Sequence, residues 1–303
     1  MTGLPRVPRR VTVLSNPAAG VGHAGPAADR AVARLRALGA EVRPRAGRDA
    51  ADATRLAREA VAEGVDAVAV VGGDGMINLA LQALAGTGVP LGVIPAGTGN
   101  DQAREYGLPL GDPEAAADVV AAGRTRTVDL GRITGPDGAV RYFGSVLATG
   151  FDSLVSDRAN RLRWPRGRMR YNLAILAEFA NLRALPFRVT LDDGTVVDRA
   201  LTLAAIGNTR SYGGGMLMCP TALPDDGLLD VTLVDAMPRA RIARFFPTVF
   251  KGTHTSYPEV TTLRTRSLRI ESPGITAYAD GEFIAPLPVD VTVEPAALTI
   301  LVP

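Results

Sequence analysis

A chain of 303 residues with 47% hydrophobic side chains is long enough to bury two domain cores. A net charge of +2 gives no global reason to bind nucleic acid, and the single cysteine, Cys219, excludes an internal disulfide. No apolar run reaches the roughly 18 residues that a membrane-spanning helix needs, so composition points to the cytoplasm.

Arg6, Arg9 and Arg10 precede only Val11 to Leu14 before polar Ser15. That reads as a buried strand, Val11–Ser15, because the apolar region of a secretory signal is longer. Helix and strand signals then alternate. Ala27–Leu38 is a predicted helix with Ala31, Leu35 and Leu38 on one face and Gly39 as its stop. Glu41–Arg43 is a short strand. Asp52–Glu63 is a helix with Leu56, Ala60 and Val61 inward and Gly64 at its end. Strand Val65–Val71, helix Ile77–Ala85, strand Leu91–Ile94 and a short helix from Asn100 or Asp101 follow. Pro113 opens a helix that ends near Gly123. This alternation implies βαβ units and a parallel sheet.

Two glycine-rich turns punctuate that sheet. Val71–Gly72–Gly73–Asp74–Gly75 follows one apolar strand, and Pro95–Ala96–Gly97–Thr98–Gly99–Asn100–Asp101 follows the next. Glycine allows a sharp turn and close approach to a ligand, and backbone N–H groups at strand-to-helix turns suit phosphate. Two such turns in one α/β unit point to a nucleotide. The chain's only lysine is Lys251, outside both turns, so a Walker-type site is excluded.

Near residue 125 the pattern becomes β. Thr127–Ile133 and Val140–Leu147 flank Gly135–Pro136–Asp137–Gly138, and Phe187–Leu191 and Thr195–Arg199 flank Asp192–Asp193–Gly194, a hairpin signal. Leu201–Ile206, Leu228–Val234, Leu263–Ile270, Ile275–Tyr278 and Val289–Val293 continue as strands, and the pattern implies a β-sandwich. Helices Met169–Leu182 and Pro238–Lys251 interrupt it. The last strand, Leu298–Val302, is expected to return to the first domain. The division expected is 1–125 for the α/β domain, with 297–303 returning to it, and 126–296 for the sandwich.

Four blocks, taken in order, resemble the catalytic domain of diacylglycerol kinases and the related sphingosine and ceramide kinases. They are Asn16–Pro17–Ala18–Ala19–Gly20, then Gly72–Gly73–Asp74–Gly75 with Asn78, then Pro95 to Asp101 with Ala103–Arg104. The fourth runs through Gly207–Asn208, Gly213–Gly214–Gly215, Pro220–Thr221–Ala222, Asp225 to Asp230 and Asp280–Gly281–Glu282. The set spans nearly the whole chain and fits the soluble bacterial branch. It implies an N-terminal α/β domain like that of NAD kinases and phosphofructokinases, a C-terminal β-sandwich, and an active site between them. Three positions depart from the family: Met76 where Thr is usual, Leu79 where Glu is usual, and Gln102 where an aromatic is common.

The resemblance implies ATP and Mg2+ as cofactors and a lipid alcohol as substrate, with transfer of the γ-phosphate to diacylglycerol or a similar lipid. Asn16, Gly72, Gly73, Gly75, Asn78, Gly97, Thr98, Asn100 and Asp101 are the nucleotide candidates. Asp74 orients the metal on the phosphates or serves as base, as in some members. Asp280–Gly281 on its own reads as a simple β-turn, but the resemblance reverses that and implies Asp280 as the base, with Glu282 as its support. Asp225, Asp226 and Leu228 match the family's structural magnesium loop, with a plain polar turn as the alternative.

Arg158, Arg161, Arg163, Arg166, Arg168 and Arg170 surround Trp164, the only tryptophan. Arginines attract anionic lipid and tryptophan favours the interface, so this stretch is the expected peripheral contact with the inner face of the membrane. A solvated basic segment is the plain alternative. A homodimer stays open. The rival functions are a small-molecule kinase like NAD kinase and a non-catalytic nucleotide- or lipid-binding homologue.

Overall fold

A computed structural model describes residues 2–3, 7–16, 24–151, 153–155, 158 and 184–303. The expected helix Met169–Leu182 and, apart from Arg158, the arginine-rich stretch lie outside these residues. Contacts divide the chain into two units. One comprises Met1–Leu130, Pro224–Asp226 and Glu294–Pro303, and the other Gly131–Leu223 and Gly227–Val293.

The first unit is α/β. Its elements are β1 (Thr2–Gly3), β2 (Arg10–Ser15), α1 (Ala24–Ala37), β3 (Glu41–Ala46), α2 (Ala50–Ala62), β4 (Ala67–Gly72), α3 (Asp74–Leu84), β5 (Leu91–Pro95), α4 (Asp101–Glu105), α5 (Pro113–Ala122) and the start of β6 (Thr125–Thr134). Strands β3, β2, β4 and β5 lie side by side and parallel in that order. Every residue of β4 and β5 is buried. This is what helices on both faces of a parallel sheet require. Helix α1 packs with α5, and α2 with α3.

Helix α1 starts three residues before the expected Ala27 and ends at Ala37. The Ala40 N–H donates to Leu35 O and the Gly39 N–H to Arg36 O, with Gly39 at φ 89°. This double closure is a Schellman ending. It leaves Leu38 past the last helical turn and 43% exposed, whereas periodicity had placed it on the inner face. In α2 the buried stripe is Ala53, Ala57 and Ala60, while Leu56 and Val61 are half-buried.

The second unit is antiparallel and contains the rest of β6, then β7 (Val140–Phe143), β8 (Val146–Gly150), β9 (Leu185–Leu191), β10 (Val196–Gly207), β11 (Leu229–Asp235), α6 (Arg239–Val249), β12 (Val260–Thr265), β13 (Ser267–Glu271), β14 (Thr276–Ala279), β15 (Glu282–Pro286) and the start of β16 (Val289–Leu301). Strand β10 pairs with β9 along its first half and with β8 and β11 along its second. Strand β9 continues to β13 and β16, and β8 to β14 and β15. Val189, Ile206, Val231, Ile270 and Val289 from these strands share one core, the filling of a β-sandwich. The C-terminal part of β16 runs parallel to β5, with Ile300 opposite Leu91.

Strand limits differ from expectation where a carboxylate meets the backbone. The stretch Leu263–Ile270 divides at Arg266, where Asp192 accepts the Arg266 N–H at 3.0 Å and the Thr265 hydroxyl at 2.7 Å. Thr195–Arg199 and Leu201–Ile206 instead form one strand, β10.

Phe143 is fully buried and stands opposite Gly131 in the β6–β7 register. A Cβ at 131 would overlap the Phe143 ring. Overpacking of this kind costs about 1–3 kcal/mol. Gly131→Ala should therefore lower the melting temperature measurably, and Phe143→Leu in the same background should recover part of the loss.

Candidate active site

Strand β2 leads to β3 on one side, and β4 leads to β5 on the other. The sheet therefore reverses its winding between β2 and β4. Open α/β sheets bind ligands at such a reversal, beyond the carboxyl ends of the strands. Ser15 is level with Val71, and Gly72 with Pro95. Asn16, Gly72–Gly75 and Ala96–Asp101 thus leave three neighbouring strands at one edge.

The two glycine turns touch. A Cβ on Gly97 would overlap the Gly73 Cα, and a Cβ on Gly73 would lie 3.0 Å from the Gly97 Cα. Asn100 fixes this contact. Its side-chain oxygen accepts the Gly97 N–H at 3.1 Å, and its amide donates to Gly97 O at 2.8 Å. Asn100 itself sits at φ 56°, which asparagine tolerates better than most residues. Two of the nucleotide candidates, Gly97 and Asn100, therefore shape the turn itself.

Asp74 is the first residue of α3, with Gly73 as N-cap. Its carboxylate accepts the Asp101 N–H at 3.1 Å and the Gln102 N–H at 3.0 Å, capping α4. A Cβ on Gly99 would come within 2.8 Å of the same carboxylate. Asp101 is buried and paired with Arg104 at 2.7 Å. Asn78 is buried on α3, whereas Thr98 is exposed at the turn. The first turn of a helix leaves N–H groups without intrahelical acceptors. The α3 terminus together with the exposed Thr98 hydroxyl therefore fits a phosphate group. The Asp74 carboxylate, fixed at this edge by the α4 amides, is the type of oxygen ligand that a divalent cation takes.

In the second unit, Asp280 and Gly281 form a two-residue hairpin turn with φ 52° and 84°, a type I′ signature. Asp280 is buried, with 6% of the residue exposed, and its carboxylate is held by backbone. It accepts the Gly144 N–H at 2.9 Å, the Ser145 N–H at 2.8 Å and the Ser145 hydroxyl. This clamp explains why the expected strand Val140–Leu147 is broken between β7 and β8. Sequence reasoning missed Ser145; the Gly144–Ser145 pair inside an apolar run was its only signal. Glu282 is exposed as a residue. Burial around its carboxyl and, second, the charge of Asp280 raise it above the ordinary glutamate value. The neighbouring Phe283 is 58% exposed and meets buried Tyr278 edge-on at 6.0 Å.

The expected magnesium loop is tied differently. The Asp225 carboxylate accepts two bonds from Arg126, at 2.9 and 3.1 Å, and the Asp129 N–H donates to Pro224 O at 2.6 Å. Asp226 is exposed. Asp230, of the same block, is buried between Thr221 at 2.6 Å and Arg264 at 3.2 Å. Among the described residues no three His, Cys, Asp or Glu side chains converge as a metal cage.

Residues 10–133 match the diacylglycerol kinase catalytic domain, and residues 145–302 match the YegS C-terminal NAD kinase beta sandwich-like domain. A diacylglycerol kinase of Mycobacterium tuberculosis is 55% identical over 294 residues, covering 97% of this chain and 95% of that protein. The chain belongs to the diacylglycerol kinase family. It is thus a lipid kinase with an α/β domain and a β-sandwich. A diacylglycerol kinase of Bacillus subtilis is 30% identical over 79% of this kinase and 78% of its own length. A crystal structure of a diacylglycerol kinase from Bacillus anthracis shares the fold, with a TM-score of 0.73, 20% identity and 97% of both chains covered.

The contact between the glycine turns gives a direct test. Gly97→Ala should lower stability by about 1–3 kcal/mol and abolish nucleotide binding measured by calorimetry. Thr98→Ala should weaken binding while leaving the melting temperature unchanged.

Proposed function

We propose that this kinase transfers the γ-phosphate of ATP to the hydroxyl of diacylglycerol or a closely similar lipid alcohol. The observation that carries the reading is the convergence of Asn16, Gly72–Gly75 and Gly97–Thr98 at the winding reversal of a parallel sheet. The first unit, with the expected 1–125 and 297–303, holds the nucleotide. The second, 126–296, meets the lipid. Backbone amides at the start of α3 and the Thr98 hydroxyl bind the phosphates without a lysine. Mg2+, when bound, neutralises charge on the transferring phosphate. Asp74 would hold that ion, with its carboxylate kept in place by the α4 amides.

Phosphoryl transfer depends on positioning more than covalent help, but the lipid hydroxyl must lose a proton as its oxygen bonds to phosphorus. Asp280 and Glu282 are the acids for that step, and their surroundings divide the work. Three donors already occupy the buried Asp280 carboxylate. We therefore assign proton acceptance to Glu282, the reverse of the order implied by resemblance, and the positioning of the hairpin to Asp280. Exposed Phe283 offers an apolar ring beside the base for the acyl part of the substrate. The basic stretch around Arg158–Arg170 remains the proposed contact with an anionic membrane surface.

Labelled ATP incubated with a panel of lipid alcohols and with NAD tests the reaction; phosphorylated NAD and no phospholipid would overturn it. In the same assay Asp74→Asn should abolish turnover in a folded protein. Glu282→Gln should lower kcat by roughly 10²–10⁴-fold, the range for a general base. A base works ionised, so activity should fall as pH drops through the raised value of Glu282, above the ordinary 4.5. Asp280→Asn removes the second cause of that elevation, so the acid limb of kcat/KM should move to lower pH.

For the loop of Asp225, Asp226 and Leu228 we propose that Mg2+ and Arg126 compete for Asp225. Arg126→Gln releases the carboxylate. Mg2+ should then raise the melting temperature of the variant more than that of the wild type. An identical response would leave the loop as an ion-paired turn.

A further inference from the structure

Helix α6 buries one face and exposes another of unusual composition. Phe245 and Val249 are buried beside Met218, Cys219 and Met237, with Ile242 packed at the margin. The outer face carries Phe246 and Phe250, 40% and 46% exposed. Their rings meet edge-to-face at 5.6 Å. They are four residues apart, the spacing that stacks side chains on one helical face. Single exposed apolar residues are ordinary; a touching aromatic pair makes a patch.

Charge tells what suits that patch. From Ala236 to Pro258 the sequence holds no acid, while it carries Arg239, Arg241, Arg244 and Lys251. Arg241 is paired with Glu259 at 2.8 Å. Arg244 and Lys251 are exposed, and neither has an ion pair among the described residues. Apolar rings bordered by unpaired cations, without acids, match the composition of helices that lie in a membrane interface. No helix among the described residues is long and apolar enough to cross a membrane.

We propose that this face of α6 docks on an anionic lipid bilayer. Phe246 and Phe250 enter the boundary between headgroups and acyl chains, and Arg244 and Lys251 lie against the lipid phosphates. The choice of a bilayer as partner rests on the lipid-kinase reading, because the substrate of such an enzyme resides there. In sequence, α6 lies well beyond the arginine-rich stretch at 158–170.

Sedimentation with phosphatidylcholine vesicles, with and without phosphatidylglycerol, tests the proposal. Phe246→Ser/Phe250→Ser should weaken partitioning at least ~10-fold on the mixed vesicles. Arg244→Gln/Lys251→Gln should weaken it roughly 30-fold on the mixed vesicles alone, at about a fivefold effect per interfacial charge. Added salt should imitate the second variant. All four positions are exposed, so melting temperatures should stay at the wild-type value, and so should turnover on a soluble short-chain diacylglycerol. Vesicle binding unchanged in both double variants would overturn the proposal. So would a wild-type dimer that Phe246→Ser/Phe250→Ser converts to monomer while vesicle binding persists. Failure of the wild type to turn over the short-chain lipid would instead count against the proposed reaction.

Discussion

The carboxyl edge of the parallel sheet is organised by one backbone-to-backbone contact, Gly73 against Gly97. A side chain at 97 would collide with the Gly73 backbone, and one at 73 would press tightly on Gly97. Because the turns touch, the carboxylate of Asp74 reaches the amides of Asp101 and Gln102 and supplies the cap of α4. That helix has five residues, too short to persist without outside help. Gly99 is small because Asp74 passes over it, and Asn100 closes the loop on Gly97. The glycines thus serve the architecture first. A phosphate site gains from this, since amides held by rigid backbone need no reorganisation when charge arrives.

The same device recurs in the sandwich. Asp192 holds the break between β12 and β13, and hydrogen bonds from Thr265, then Arg266, keep its carboxyl below the usual range. Asp280 holds the break between β7 and β8. Each acid sits in a turn and binds backbone amides of another segment. Asp192 is exposed, whereas Asp280 is buried, and the bonds its carboxylate accepts reduce the cost of burying it. On the proposed reading Asp280 therefore positions the hairpin and leaves proton acceptance to Glu282. Glu282 differs from Asp280 in this respect, although only one residue separates them. The hairpin turn sends Asp280 into the fold and leaves Glu282 at the surface.

Much of this was legible in the sequence. The alternation of β2 to α5 follows from apolar periodicity, and Gly39, Gly64 and Gly123 mark helix ends because all three adopt positive φ. The convergence of three turns at one edge follows once the sheet is parallel. What failed was local. Leu38 fits the helical stripe by spacing, yet the Schellman closure ends the helix before it. Strand breaks at Gly144 and Arg266 depend on carboxylates far away in sequence, 135 and 74 residues from the Ser145 and Arg266 amides they accept. Periodicity carries no trace of such long-range bonds. The partner of Asp225 is likewise 99 residues distant, so a metal loop and an ion-paired turn look alike until the chain is folded.

The three departures from the family pattern can be weighed on the same footing. Met76 is 5% exposed, and its side chain occupies the space that a Cβ on Gly72 would need. It fills a gap beneath the turn, as a flexible thioether side chain can. A threonine hydroxyl at this position would therefore start from a packed layer beneath the turn. Gln102 is buried, and the bond that ties it to the site runs from its backbone to Asp74, so its side chain can vary without loosening that link. Leu79 is half-buried on α3. None of the three changes the backbone amides at the start of α3 or the Thr98 hydroxyl. On the proposed reading, a site that holds phosphate mainly through its main chain tolerates such substitutions better than one that depends on a lysine, since all its donors except the Thr98 hydroxyl belong to the backbone.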